Sequence, residues 1–147
     1  MKAINYHLTI LGPPKAQGRP RARNAGKFIQ IYDEPKSARA KKTMAQIVQE
    51  QAPDKLLDCP LCVDLVFFLP RPKGHYGSGR NEGILKSSSP HWHTKRPDID
   101  NLRKLVMDAL TGVFWLDDSI VCQGRTEKIY DEKPRTEIFI TEAVRNE

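Results

Sequence analysis

At 147 residues the chain is expected to form one domain, 1–147, with a real core and little room for a second. A 39% hydrophobic and 29% charged composition describes an ordinary globular protein. No apolar run approaches the ~20 residues needed to span a bilayer, and Met1 to Leu11 is too polar for a signal peptide, so no membrane partner and a cytoplasmic location are expected.

The net charge of +6 is unevenly spread. Residues 1–55 hold 11 Lys/Arg against 4 Asp/Glu, and residues 70–96 hold 6 against 1. Residues 97–147 reverse the sign, with 7 against 11. A phosphate-binding front beside an acidic centre gives that pattern. Three cysteines, Cys59, Cys62 and Cys122, cannot close a disulfide framework and suit a reducing compartment. The lone CxxC at Cys59–Cys62 lacks the four ligands of a structural zinc, and His91 and His93 are not at finger spacing.

In chain order, Asn5 to Leu11 alternates Tyr6, Leu8 and Ile10 with polar residues and predicts a short strand ended by Gly12-Pro13-Pro14. Residues 12–27 carry Lys15, Arg19, Arg21, Arg23 and Lys27 without periodicity and read as a basic loop. Phe28 to Tyr32 is a candidate short strand. Pro35 opens a helix to about Gln51, with Ala40, Met44, Ile47 and Val48 on one face, and Pro53 stops it.

Leu61 to Leu69 predicts a well-buried strand. Residues 70–97 have no apolar period and read as a long flexible loop of the functional or mobile kind. A second helix is expected over about Asp100 to Thr111, ending at Gly112. Ser119 to Tyr130 and Arg135 to Val144 predict two strands forming a hairpin around Asp131-Glu132-Lys133-Pro134. The sum is an α+β fold: a small mixed β-sheet with two main helices packed on it, in the order β-(β)-α-β-α-β-β.

The chemistry concentrates around the second helix. Its apolar stripe comprises Ile99, Leu102, Leu105, Val106, Ala109 and Leu110, while Asp100, Lys104, Asp108 and Thr111 fall opposite. Asp108 reads as an i, i+4 partner of Lys104 on a solvated face. Pro97 keeps Arg96 out of helical geometry, so the chain is expected to enter extended, with Asp98 and Asp100 on one side. One aspartate there is explained as an N-cap. Two, followed after the helix by Asp117 and Asp118, are not. If the next strand runs back along the helix, Asp118 can approach Asp98, and carboxylates gathered there need a cation such as Mg²⁺ between them.

The run KRPDIDNLRKLVMDALTGVFWLDDSIV resembles the signature of the RusA family of Holliday-junction resolvases, common in prophages. The similar pattern is Asp-x-Asp-Asn-x-x-Lys on a helix, then Asp-Ala-Leu, an aromatic residue and an Asp-Asp pair. At lower specificity the resemblance extends over the basic stretch, the long loop and the C-terminal strands. It implies a homodimeric endodeoxyribonuclease that cuts four-way junction DNA by paired nicks, with Mg²⁺ as cofactor and Mn²⁺ as a substitute. It also implies that Asp98, Asp100 and Asp118 are the metal-binding aspartates, with Asp117 as the alternative to Asp118, and that Lys104 is the essential lysine. Asn101 matches a family position whose role does not follow.

The basic residues have their own reading. Lys15, Arg19, Arg21, Arg23 and Lys27 are poor core material and read as a phosphate clamp, with Arg71, Lys73, Lys95 and Arg96 as a second wall. Tyr76 or Trp92 could stack on an unpaired base. The loop histidines, His75, His91 and His93, read as phosphate contacts or exposed side chains rather than metal ligands, and Phe114 and Trp115 as anchors of the acidic turn. Two other classes compete: a non-catalytic branched-DNA or RNA binding module, and a metal-dependent DxD transferase. The short chain, the basic arm and the lack of a dinucleotide-type glycine fingerprint stand against the transferase.

Overall fold

The computed structural model describes residues 3–145. Seven strands and two helices follow one another as β1 (Asn5–Leu11), β2 (Arg21–Ala25), β3 (Phe28–Tyr32), α1 (Pro35–Gln49), β4 (Leu61–Leu69), α2 (Ile99–Leu110), β5 (Val121–Gln123), β6 (Thr126–Tyr130) and β7 (Arg135–Glu142). Both helices and the mixed sheet agree with the α+β expectation.

β4 organises the sheet. Leu61, Val63, Leu65, Phe67 and Leu69 all point into the core while the alternate residues are half-buried, the signature of a strand with one covered face. β7 pairs antiparallel with one edge of β4, and β1 pairs antiparallel with β7 outside it. Along the other edge β5 and then β6 pair with β4 in parallel.

The expected hairpin between β6 and β7 does not form. β4 lies between them, because an apolar nine-residue strand is satisfied only when both of its edges are hydrogen-bonded. The connection instead passes over the end of β4, where Asp131 N–H donates to the Leu69 carbonyl at 3.0 Å. Arg135 closes it, donating to Asp131 at 2.7 Å and lying 3.7 Å over the Phe68 ring.

The edge shared by β5 and β6 is broken at Gly124. A Cβ there would collide with the Val63 carbonyl, and φ of 154° already disfavours a side chain. Arg103 of α2 bridges the gap, donating to the Val63 carbonyl at 3.2 Å and to Thr126 Oγ1 at 2.7 Å. This ties α2 to the strand edge, with the strands running antiparallel to the helix.

Leu102, Leu105, Val106 and Leu110 of α2 are fully buried against β4, Leu8, Ile138 and Ile140. Ile99, expected on the same stripe, is 39% exposed at the helix start. Phe114 and Trp115 are fully buried below the helix end, and Trp115 Nε1 donates to Thr111 Oγ1 at 3.1 Å. α1 buries Met44 and Val48 but leaves Ile47 43% exposed, and it stops at Gln49 rather than Gln51.

Two loops differ from expectation. Within the basic loop 12–27, the five residues Arg21–Ala25 form β2, which pairs with β3 as a separate hairpin turning at Gly26, φ 75°. Residues 70–97 contain short 3-10 turns at Lys73–His75 and Gly79–Asn81. They are cross-tied by Arg71 to the Pro90 carbonyl at 2.7 Å and Ser89 Oγ to the His75 carbonyl at 2.6 Å. His93 N–H donates to the Lys128 carbonyl at 3.1 Å, which docks the end of this loop on β6.

Candidate active site

Asp98 takes the N-cap position of α2 in extended geometry, φ −70° and ψ 145°, after the cis Arg96–Pro97 peptide. Its side chain makes no capping hydrogen bond. The capping explanation for this aspartate therefore fails, and its carboxylate stays exposed to solvent. Asp100 sits in the first helical turn, also exposed, and accepts from Asn101 N–H at 3.0 Å. Two carboxylates at a helix N-terminus are favoured by the peptide dipoles, which point partial positive charge at them.

Beside Asp98 lies a cleft of about 200 Å³ lined by Arg19, Arg96, Pro97, Asp98 and Asn101. Arg19 reaches it from the basic segment, which is fixed to the helix by Gln17 N–H donating to the Asn101 carbonyl at 2.9 Å. Two guanidiniums flanking a carboxylate make a concave spot where a phosphate oxygen meets fork-shaped donors. Lys128 braces the floor, its Nζ donating at 2.8 Å to both the Lys95 and Pro97 carbonyls.

Lys104 projects one turn further along α2, its side chain 58% exposed, with Nζ 3.3 Å from Asp108 Oδ2. The expected i, i+4 pair is present, but Asp108 has a second partner: Lys41 of α1 approaches the same oxygen at 3.2 Å and donates to Asp33 at 2.7 Å. The Lys41 hydrogen bond, foremost, holds the Asp33 carboxyl below its ordinary pKa, and Lys104 adds to the shift. Asp33 and Lys41 were not anticipated, since no local spacing links Asp33, just ahead of α1, or Lys41 on α1 to Asp108 on α2.

Asp117 and Asp118 stand at the other end of α2. Lys128 on β6 is hydrogen-bonded to the residues just before the helix, Thr126 is level with Arg103, and Trp115 is bonded to Thr111 at the helix C-terminus. The strands thus run back along the helix as expected, but Asp118 lies at their near end. About 18 Å of helix separates it from Asp98. Among the described residues no three His, Cys, Asp or Glu side chains converge closely enough to hold a metal ion. Asp117 accepts from Ser119 N–H at 2.9 Å, a bond that lowers its pKa, while Asp118 opens the short 3-10 turn that follows.

The basic candidates divide. Arg21, Arg23 and Lys27 are exposed on the β2–β3 hairpin, where Arg23 donates to Gln30 at 2.8 Å and lies 5.3 Å over the Tyr32 ring. Lys15 lines a separate apolar cleft with Ala40, Met44 and Ile47. Arg71 is occupied internally, bonded to Pro90 and lying 5.3 Å over Tyr130, whereas Lys73 and Lys95 are exposed. His93, expected at the surface, is buried against Tyr130, and burial lowers its pKa, with Lys128 adding to the shift. His75 also packs edge-on against Tyr130.

Residues 12–141 match the family model described as Endodeoxyribonuclease RusA. The chain belongs to the RusA family of endodeoxyribonucleases. It is 32% identical over 140 residues to "Uncharacterized protein YqaN" of Bacillus subtilis (strain 168), covering 92% of this chain and 94% of that one. It is also 46% identical over 52 residues to "Crossover junction endodeoxyribonuclease rusA" of Lactococcus phage r1t, covering 35% of this chain and 40% of that protein. As a RusA-family member the chain is an endodeoxyribonuclease. No helix among the described residues is long and apolar enough to cross a membrane.

Proposed function

We propose that this protein resolves four-way DNA junctions by metal-dependent, paired hydrolysis of phosphodiesters, acting as a homodimer in recombination and repair. The observation that carries the reading is the cleft at the start of α2, where an uncapped Asp98 sits between Arg19 and Arg96. A purely structural aspartate would cap its helix, and a binding-only surface has no use for a carboxylate among its phosphate donors.

Asp98 and Asp100 offer hard oxygen ligands of the kind Mg²⁺ or Mn²⁺ takes, and beside the waters and substrate phosphate such an ion keeps there is room for one more carboxylate. The remaining ligand is Asp118 of the partner subunit. In a two-fold dimer with the α2 helices side by side and antiparallel, the acidic turn of each chain falls at the α2 N-terminus of the other. Ile99, between Asp98 and Asp100, and Leu116, next to Asp117, are 39% and 77% exposed, which gives both ends of the contact apolar surface to bury. Asp117 caps Ser119 and so has a structural task, leaving Asp118 as the ligand.

A divalent cation held by these aspartates would supply positive charge at the scissile phosphate and make an attacking water more acidic. Arg19 and Arg96 orient the phosphate through its non-bridging oxygens. Lys104 neutralises charge that develops on the phosphate and on the leaving 3′-oxygen. Arg21, Arg23 and Lys27 on the hairpin, with Lys73 and Lys95, contact flanking phosphates without reading sequence.

Cleavage of a synthetic four-way junction, beside linear duplex of the same sequence, tests this with wild type and Asp100→Asn, each with and without Mg²⁺. Symmetric nicks are expected from the wild type with Mg²⁺ alone. Binding without nicks under every condition would establish a branched-DNA binding module instead.

A further inference from the structure

We propose that Lys41 is a positioning residue for Lys104: by holding Asp108 and Asp33, it leaves the Lys104 ammonium available to the substrate phosphate. The inference rests on the reading of Lys104 as a catalytic group. Four charged side chains alternate along the seam between α1 and α2, in the order Asp33, Lys41, Asp108 and Lys104. Lys41 is the most enclosed of them, 18% exposed, against 44% for Asp33, 28% for Asp108 and 58% for Lys104. Its partial burial opposes the charge, yet its hydrogen bonds to Asp33 and Asp108 outweigh this and raise its pKa, so it is a fixed cation at neutral pH.

Both lysines address one oxygen, Asp108 Oδ2, at 3.2 Å from Lys41 and 3.3 Å from Lys104. An anion shared between two ammonium groups holds each less firmly than it would hold one. The exposed partner, Lys104, is the one that leaves when a phosphate with more negative charge arrives. Without Lys41, Asp108 would have Lys104 as its sole cation here, and Asp33, already close enough for Lys104 to lower its pKa, would pull on it as well. The competitor would then sequester the catalytic charge. The chain of pairs also joins Asp33, directly after the β2–β3 hairpin, to the active helix, so the basic arm and the reacting centre are held in one frame.

The test compares single-turnover cleavage and junction affinity for wild type, Lys41→Met, Lys41→Arg and the double variant Lys41→Met/Asp108→Asn. Lys41→Met is expected to slow cleavage about fivefold, the rate equivalent of ~1 kcal/mol, with junction affinity changed less than about twofold. Lys41→Arg, which keeps the charge and both contacts, retains the rate. Removing the Asp108 charge from Lys41→Met restores most of it, a rescue that a purely structural role for Lys41 would not produce at unchanged affinity. A Lys41→Met rate within twofold of wild type, or a loss that Asp108→Asn does not relieve, overturns the proposal. Should Lys41→Met not fold, the single variant Asp108→Asn carries the test: it is expected to cleave at least as fast as wild type, and slower cleavage overturns the idea. A wild type that does not cut junctions refutes the nuclease reading itself.

Discussion

The sharpest prediction concerns which chain supplies the third carboxylate. Two oxygens bound to one magnesium at 2.0–2.1 Å each lie at most ~4 Å apart, whereas Asp98 and Asp118 of one chain are separated by α2, twelve residues and about 18 Å long. Aspartate side chains reach only a few ångströms, so rotamer changes cannot close that gap, and refolding the buried Phe114–Trp115 turn would dismantle the core. The perturbation is to co-express Asp100→Asn and Asp118→Asn chains with different tags and purify the heterodimer. If each site combines Asp98 and Asp100 of one chain with Asp118 of the other, one site collects both substitutions and the second is intact. The heterodimer then nicks a four-way junction at about half the wild-type initial rate, giving singly nicked rather than resolved product. Each homodimeric variant is expected to be inactive. A heterodimer as inactive as its parents, while wild type is active, would refute the shared site and require the acidic groups to meet within one chain.

Three further outcomes test the arm and the scaffold. Replacing Arg21 and Arg23 with Ala is expected to weaken junction and duplex binding alike and to reduce the slope of log affinity against log salt by roughly 1.8, measured by fluorescence anisotropy from low to moderate salt. Leu105→Ala, at a fully buried position on the core face of α2, should cost about 3 kcal/mol and lower Tm by roughly 10 °C in calorimetry, with cleavage at low temperature retained. His93 is buried with its pKa below the ordinary 6.5, so the unfolded chain takes up its proton first as pH falls. Its contribution is intact above about pH 6.5 and lost on further acidification, and Tm profiles of wild type and His93→Gln should therefore converge below that pH.

Much of the scaffold was legible because its signals are local. The run of Val, Leu and Phe in Leu61–Leu69, the 3.6-residue stripe of Leu102, Leu105, Val106 and Leu110, and Pro35 at a helix start each specify an element within a few residues. The β6–β7 pairing was misread because a four-residue turn between two strands favours a hairpin unless a third strand is inserted, and only the needs of β4 decide that. β2 escaped notice for another reason. Arg21-Ala22-Arg23-Asn24-Ala25 has no apolar period, since neither face of that hairpin packs into the core, and its partner β3 leaves Phe28, Ile29 and Ile31 about 70% exposed.

The site divides along the same line between local and non-local information. Asp100 and Lys104 lie on α2 and Asp98 at its N-cap, so their spacing carries their geometry, and the missing cap at Asp98 is a departure from local logic that the proposed catalytic role accounts for. Asp118 has equally plain chemistry, but its place is set by the length of α2 and the direction of the returning strand. In the proposed dimer, its use depends on the surface of a second chain. Asp108 makes the point in miniature. From spacing alone it is a solvated partner of Lys104, and that pair does form; what changes its meaning is Lys41, 67 positions earlier in the chain, arriving at the same oxygen. On the proposed reading, a charge that would trap Lys104 becomes one that releases it, and the difference lies in how α1 packs against α2.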